Sequence, residues 1–190
     1  MSVIVYTDIN AIAILNLRGD LVNKKTHNII LTAVFGAMIF VMTAVLHIPV
    51  ASGYVHLGDA LLYISALLLD MPWALVAGAL GEGLADVASG FAAYAPATVL
   101  IKLLIALCFA FAKKKSDKLL SLSSALMTLP AAVITVGGYF LADLVISREY
   151  AFVDIPGNLI QSSASAVIFI IIAAALDKVH IKDKIYKRIS

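Results

Sequence analysis

Long apolar segments follow one another through this chain of 190 residues, separated by short stretches that contain charged residues, proline or glycine. A bilayer core about 30 Å thick needs roughly 20 apolar residues for each straight helix. Because every backbone polar group inside the bilayer must be satisfied within the protein, an apolar segment of this length is expected to be helical. The pattern therefore predicts an all-α, polytopic membrane protein.

The composition supports the same conclusion. Hydrophobic residues make up 62% of the chain and charged residues 14%, and the mean hydropathy is +1.01. Soluble domains are closer to half apolar and a quarter charged. So little charge cannot cover a water-facing surface, and we expect the remaining surface to face lipid. The single cysteine, Cys108, lies in an apolar run and can form no disulfide within the chain.

Six membrane spans are predicted, and they form one compact domain over residues 27–179. Residues 1–26 lack the order of charges typical of a signal peptide and are interpreted as a cytoplasmic lead-in, and 180–190 as a basic cytoplasmic tail. The second span is short, and we expect it to be shielded by its neighbours or broken. The predicted spans cover residues 27–46, 59–69, 72–90, 95–113, 119–146 and 155–179.

Lysine and arginine predict the orientation. With the N-terminus in the cytoplasm, twelve of the 14 basic residues fall in cytoplasmic segments. Only Arg148 falls in an external loop, and Lys102 lies inside a span. Cytoplasmic loops of membrane proteins carry an excess of basic residues. The distribution therefore predicts that both termini are cytoplasmic and that the number of spans is even.

Polar residues within or beside the spans are the candidate binding residues. An ionisable side chain inside a bilayer is costly unless it faces a cavity or a partner. In the predicted topology all of these residues lie in the outer half of the membrane, which predicts a pocket that opens to the outside and captures a small polar solute. The candidates are His56, Asp59, Glu82, Asp86, Lys102, Asp143, Asn158 and Gln161.

Structural roles are open for several of these residues. Glu82 and Asp86 are four residues apart and share a helix face. Lys102 can pair with either acid and satisfy a buried charge without touching a ligand. Asp59 and Asp143 can act as interfacial residues or helix caps in water.

The loop over residues 47–57 contains His47 and His56, which we expect to be exposed to solvent, with His56 within reach of a ligand. Asn158, at the start of the sixth span, can either satisfy the helix terminus or bind solute. Neither role is decided by the residues alone.

The first span carries two small residues four positions apart, Ala33 and Ala37, with Gly36 beside them. Small residues at this spacing form a flat face on which another helix can pack closely. The partner can belong to the same chain or to another protein.

Together, several segments resemble the substrate-capture subunits (S components) of energy-coupling factor (ECF) transporters, over about residues 29–179. Two short motifs, His-Leu-Gly-Asp and Ala-Pro-Ala-Thr, carry most of the resemblance. The matching segments are Gly53-Tyr54-Val55-His56-Leu57-Gly58-Asp59, Gly81 to Asp86 with Gly90, Ala95-Pro96-Ala97-Thr98, Ile101-Lys102 and Asn158 to Gln161.

The resemblance implies a six-helix protein of the bacterial plasma membrane that binds one vitamin or vitamin precursor near its outer face. Its partners would be a transmembrane coupling protein, which contacts the alanine-rich face of Ala33 and Ala37, and two cytoplasmic ATPases. The most similar branch carries riboflavin, hydroxymethylpyrimidine and B6 vitamers. Acidic Glu82 and Asp86 would suit a ring nitrogen or an amine, which favours a B6 vitamer or hydroxymethylpyrimidine.

Other functions are less compatible with the sequence. The chain lacks a Gly-x-x-x-x-Gly-Lys-[Ser/Thr] loop and a His-Glu-x-x-His pair, and its lysines flank spans instead of forming a nucleic-acid surface. We predict no catalytic residue, metal or cofactor. An autonomous ion-coupled transporter that uses Glu82 or Asp86 as a proton carrier is the main alternative, although no internal repeat is visible. An intramembrane enzyme is a lesser one, because Leu57-Gly58-Asp59 lacks the preceding glycine of a Gly-x-Gly-Asp protease.

Overall fold

The structure is a computed structural model that describes residues 24–49, 54–113 and 116–186. Within these ranges the chain forms eight helices and one two-stranded antiparallel hairpin. In chain order the elements are α1 (Lys24–Ala44), β1 (His47–Pro49), β2 (Tyr54–His56), α2 (Gly58–Leu68), α3 (Met71–Ala88), α4 (Ala95–Lys113), α5 (Leu122–Leu126), α6 (Thr128–Ile146), α7 (Ile155–Lys178) and α8 (Ile181–Tyr186). The predicted helical class is confirmed.

Four stretches of the described chain are helical, long and apolar enough to cross a bilayer: Lys25–Ala44, Ala95–Lys113, Leu122–Ile146 and Ile155–Lys178. They coincide with the first, fourth, fifth and sixth predicted spans. Large apolar side chains on them point outward, and Val145 on α6 is 87% exposed. An apolar surface of this kind is expected to face lipid or another protein.

The short helix α2 lies at the centre of the bundle. All eleven of its residues are buried, so it needs no lipid-facing surface of its own. Tyr63 on α2 stacks on Phe109 of α4 with 4.4 Å between ring centres, and Phe169 of α7 meets both rings edge-on. Of the two alternatives expected for the short second segment, shielded or broken, the burial of α2 agrees with shielding by its neighbours.

The fifth span differs from the single helix predicted over 119–146. Its helical part begins at Leu122, after Ser121, whose hydroxyl accepts the backbone N–H of Ser124 at 3.2 Å in a capping box. The helix is then interrupted at Met127. Pro130 explains the interruption, because proline has no N–H to donate to the carbonyl four residues earlier.

Two elements were not predicted. Strands β1 and β2 form a hairpin in which His47 pairs with His56, within the segment expected to be a loop. Helix α8 lies within the segment predicted as a basic tail. Of the predicted lead-in, residues 1–23 lie outside the described residues.

The two ends of the bundle differ in chemistry. The hairpin, the N-termini of α2, α4 and α7 and the C-termini of α3 and α6 meet at one end, here called the hairpin end. Basic side chains concentrate at the opposite end, where Lys113 donates to the carbonyl of Leu69 at 2.6 Å and Lys182 to that of Ser116 at 2.6 Å. The polar candidates of the sequence, Lys102 among them, therefore lie away from Lys113 and Lys182.

Candidate ligand-binding site

A partly open cavity lies at the hairpin end, with about 530 Å³ of empty space that includes the open solvent at its mouth. Its walls come from β2, the C-terminus of α3, the loop between α3 and α4, helix α6 and the start of α7. The lining residues are Tyr54, Val55, His56, Asp86, Phe91, Tyr94, Tyr139, Asp143, Asp154, Gly157, Asn158 and Gln161.

Two carboxylates of the lining are each held by one tyrosine. The hydroxyl of Tyr54 donates to Asp86 Oδ1 at 2.6 Å, and that of Tyr94 donates to Asp143 Oδ1 at 2.7 Å. Burial, together with the bond to Asp86, raises the pKa of Tyr54 above its ordinary value, so this hydroxyl stays a donor. The second oxygens, Asp86 Oδ2 and Asp143 Oδ2, are buried and accept no hydrogen bond from any described residue.

Beneath the cavity, Lys102 is the centre of a buried ion-pair cluster. Its ammonium lies 2.7 Å from Asp59 Oδ1 and 3.0 Å from Glu82 Oε2, and none of the three side chains is exposed. The three residues come from α4, α2 and α3, so the cluster ties these helices together. A buried charge requires such a partner, because its desolvation is costly.

Gln161 of α7 and His56 of β2 connect this cluster to the cavity. The Gln161 side chain donates to Asp59 Oδ2 at 3.0 Å and accepts the backbone N–H of His56 at 3.2 Å. The backbone N–H of Gly58 donates to His56 Nδ1 at 3.2 Å, while His56 Nε2 lies 3.5 Å from Glu82 Oε2. This arrangement suits a neutral ring with its proton on Nε2.

Burial lowers the pKa of His56 to about 3, and Lys102 contributes in the same direction although Asp59 opposes it. The imidazole is therefore neutral at physiological pH. Gly58 beside it leaves the necessary space, since a Cβ at this position would collide with the Thr43 hydroxyl. This packing explains the His-Leu-Gly-Asp motif. The imidazole is buried, the glycine leaves space beside it, and the acid binds Lys102.

One set of residues has the composition of a metal site. His56, Asp59 and Glu82 each offer a ligand atom within 4.8 Å of the others. However, the Lys102 ammonium already contacts both acids, at 2.7 and 3.0 Å. A divalent cation would have to displace it, so the geometry favours an internal ion pair.

The structure separates the eight candidate binding residues into two groups. Asp59, Glu82 and Lys102 belong to the buried cluster and do not line the cavity. The pairing of Lys102 with Glu82 was one of the alternatives that the sequence left open, whereas its second partner is Asp59 and not Asp86. The other five line the cavity: His56, Asp86, Asp143, Asn158 and Gln161. Their contact with a ligand stays a prediction.

One expectation about the first loop is wrong. His56 is only 4% exposed, because the hairpin folds inward over the bundle instead of extending into solvent. Sequence reasoning also missed the aromatic part of the lining, since a tyrosine in an apolar segment gives no sign that it faces a cavity. The missed residues are Tyr54, Phe91, Tyr94 and Tyr139, together with Asp154.

The small residues of α1 point in two directions. Ala33 and Ala37 are exposed on the outside of the bundle. Gly36 instead faces α3, where a Cβ would lie 3.6 Å from the carbonyl oxygen of Ala77. Packing within the chain therefore accounts for Gly36 and leaves the two alanines on the outer surface.

Comparison with known proteins identifies the family. Residues 23–178 match the family described as ECF-type riboflavin transporter, S component. No curated protein and no solved structure shows significant similarity to the chain. The matched segment includes the hairpin, the buried cluster and every wall of the cavity. The chain therefore belongs to the ECF-type riboflavin transporter S-component family, and it is a membrane-embedded, substrate-binding transport subunit, not an enzyme.

Proposed function

We propose that this subunit captures a small water-soluble vitamin or vitamin precursor in the cavity at the hairpin end and delivers it for ATP-driven import by partner subunits. The observation that carries the proposal is the cavity itself, in which Asp86 and Asp143 each keep a buried oxygen without a hydrogen-bond partner in the described chain. Buried polar groups are normally satisfied, and those of a binding site can be completed by the ligand.

The proposed orientation has six membrane-spanning helices, with α2 and α3 completing the four longer ones. Both termini lie in the cytoplasm of a bacterial cell, and the cavity faces outward. The lysines at the end opposite the hairpin support this orientation, because basic residues favour the cytoplasmic side. The complete burial of α2 supports its inclusion despite its length, since it needs no lipid contact.

The proposed partners are one transmembrane coupling protein and two cytoplasmic ATPases. Ala33 and Ala37 support the location of the coupling surface, because they are exposed on α1 at a spacing that permits close helix contact. The chain has no phosphate-binding loop of its own. In this proposal the energy for import therefore comes from the ATPase subunits.

Among vitamins, we favour a B6 vitamer or hydroxymethylpyrimidine over riboflavin. The carboxylate of Asp86 can pair with a ring nitrogen or an amine, and the amides of Asn158 and Gln161 can bind hydroxyl groups. These groups converge on one cavity. Small nitrogen heterocycles that carry hydroxyl groups present the matching set of donors and acceptors.

The first test is mass spectrometry of the small molecule that co-purifies with the protein, followed by titration of that molecule into ligand-free protein. We expect tight binding by the chain alone, and uptake only when the coupling protein and ATPases are co-expressed. Uptake by the chain alone in proteoliposomes with a proton gradient would instead establish an autonomous ion-coupled transporter.

A variant separates capture from coupling. Replacing Ala33 and Ala37 together by leucine should leave ligand affinity within about twofold of the native value while uptake is strongly reduced, because the bulky side chains keep the coupling helix away. Ser163→Leu is the control. Ser163 is exposed like the two alanines but lies on α7, so this variant should retain uptake. Equal uptake by both variants would show that Ala33 and Ala37 of α1 do not form the coupling surface.

A further inference from the structure

We propose that the cavity selects a ligand with a positively charged nitrogen on or beside an aromatic ring, and that it rejects anionic, phosphorylated forms of the same molecule. The inference rests on the proposed function, since it specifies the chemistry of what the same cavity binds. It depends on three features of the lining: its charge, its unsatisfied oxygens and its aromatic side chains.

The charge of the lining is one-sided. Three carboxylates line the cavity, those of Asp86, Asp143 and Asp154, and no lysine or arginine is found among the described lining residues. The nearest buried cation, Lys102, is held by two acids below the cavity. Arg148, on the loop between α6 and α7, is exposed and does not line the cavity. Among the described lining residues, acidic side chains are therefore present and basic ones are not.

The carboxylates of Asp86 and Asp143 are also incompletely satisfied. Their exposed fractions are 6% and 1%, and a tyrosine hydroxyl donates to one oxygen of each. The Thr98 hydroxyl also interacts with Asp86. The other oxygen has no partner in the described chain. An ionised carboxylate whose hydrogen-bond donors are all neutral is costly out of water, and a cation at the oxygen without a partner would compensate it.

Aromatic side chains surround the same space. Tyr54, Phe91, Tyr94 and Tyr139 all line the cavity, and the rings of Tyr54 and Phe91 are 5.2 Å apart. Aromatic faces attract cations through their quadrupole, and they stack on flat heterocycles. The Tyr139 ring already has one such neighbour, the Lys102 ammonium, 5.4 Å from its centre. A cavity that combines aromatic rings with carboxylates is suited to an aromatic cation.

The same features disfavour anions. A phosphate inside this cavity would lie near like-charged carboxylates and would find no cationic side chain among the described lining residues. Repulsion of this kind is a common source of specificity. Import would then be restricted to the unphosphorylated form of a vitamin.

The test uses three B6 vitamers that share one ring: pyridoxamine, which carries an ammonium, pyridoxine, which carries a hydroxyl in its place, and pyridoxamine 5′-phosphate. Binding to the full chain, purified in detergent and freed of ligand, is measured by calorimetry at neutral pH. We expect pyridoxamine to bind about tenfold or more tightly than pyridoxine, and the phosphate not to bind. Equal or tighter binding of pyridoxine, or binding of the phosphate, overturns the proposal.

Isosteric variants locate the effect. Asp143→Asn and Asp86→Asn keep an oxygen that accepts the tyrosine hydroxyl but remove the charge, so each should reduce the preference for pyridoxamine about tenfold. Glu149→Gln removes one charge from an exposed loop position at the same end and should leave the preference unchanged. An unchanged preference in both aspartate variants overturns the assignment.

If no B6 vitamer binds, the molecule that co-purifies decides. A cationic aromatic compound supports the inference, whereas a neutral or anionic vitamin overturns charge selection and leaves the capture function intact. Failure of any small molecule to co-purify or bind would overturn the capture function itself. The two failures are therefore distinguishable.

Discussion

Two pairs of buried acids lie at the same end of the bundle, and they differ in what surrounds them. Asp59 and Glu82 share the ammonium of Lys102 and are buried completely. Asp86 and Asp143 are nearly as buried, but each accepts a tyrosine hydroxyl at one oxygen and has no hydrogen-bond partner at the other in the described chain. The first pair has its counter-ion inside the protein, whereas the second pair faces a cavity. The partner set, and not the depth, therefore distinguishes the two pairs, and only the second pair is proposed to bind a ligand.

The buried ion-pair cluster of Lys102, Asp59 and Glu82 also supports the walls of the cavity. Lys102 holds α2 and α3 to α4, and Gln161 extends the same network to α7 and to the backbone of the hairpin. These elements form the floor and walls of the cavity. The cluster should therefore set the shape in which Asp86 and Asp143 are presented to a ligand.

The largest effect is expected from Lys102→Met. The substitution leaves Asp59 and Glu82 buried without a counter-ion, which should reduce the free energy of unfolding by about 3–5 kcal/mol or prevent folding. Thermal unfolding of the purified protein in detergent measures the change. Native-like unfolding of this variant would show that the cluster is not a structural ion pair.

The double variant Lys102→Met with Asp59→Asn is the matched control. It has the same net charge as the native cluster, because one positive and one negative charge are removed together. We therefore expect it to be more stable than Lys102→Met alone, although below the native protein. A double variant no more stable than the single one would mean that packing by the lysine, and not its charge, is responsible.

A smaller effect is expected from acidification. The pKa of His56 is about 3 in the fold, against an ordinary value of 6.5, because burial disfavours the charged ring. Above pH 6.5 the ring is neutral in both states and stability is unaffected. Between pH 6.5 and 3 only the unfolded chain takes up the proton, so stability falls, by about 2 kcal/mol at pH 5.

His56→Asn tests this interpretation, because its side-chain oxygen can replace Nδ1 as the acceptor for the Gly58 N–H and does not titrate in this range. The variant should lose less of its melting temperature between pH 7 and pH 5 than the native protein does. Identical pH profiles would show that His56 is not the titrating group.

Sequence reasoning predicted the elements better than their partners. The length of the apolar segments gave most of the helices, because burial of apolar surface and backbone satisfaction are local requirements. Segment length did not predict the break at Met127, where Pro130 interrupts the backbone hydrogen bonds of the helix. It also did not predict the hairpin, whose strands are only three residues each. Such features depend on single residues or on tertiary packing.

The site was predictable in composition but not in connectivity. The ionisable residues were found because charge in an apolar segment is conspicuous. Their pairing was not, since Lys102 reaches Asp59 across 43 positions and Tyr54 reaches Asp86 across 32. Tyr139, which lines the cavity, fits an apolar helix equally well as a lipid-facing or packing residue, and Tyr94 lies in a short loop whose fold its sequence does not reveal. Contacts between distant residues require the folded arrangement.

The most discriminating comparison is between two amides one turn apart on α7. Gln161 and Asn158 both line the cavity, but Gln161 also bonds to Asp59 and to the backbone of His56, whereas no such bond is found for the Asn158 side chain in the described chain. Gln161→Ala should therefore lower stability by about 1.5 kcal/mol and weaken ligand binding as well. Asn158→Ala should weaken binding about tenfold with little change in melting temperature. The two positions share a helix and a cavity, so they are a matched pair. If Asn158→Ala lost as much stability as Gln161→Ala, the Lys102 cluster and the cavity lining would be one structural unit. Hydrogen-bond partners would then not distinguish structural residues from lining residues.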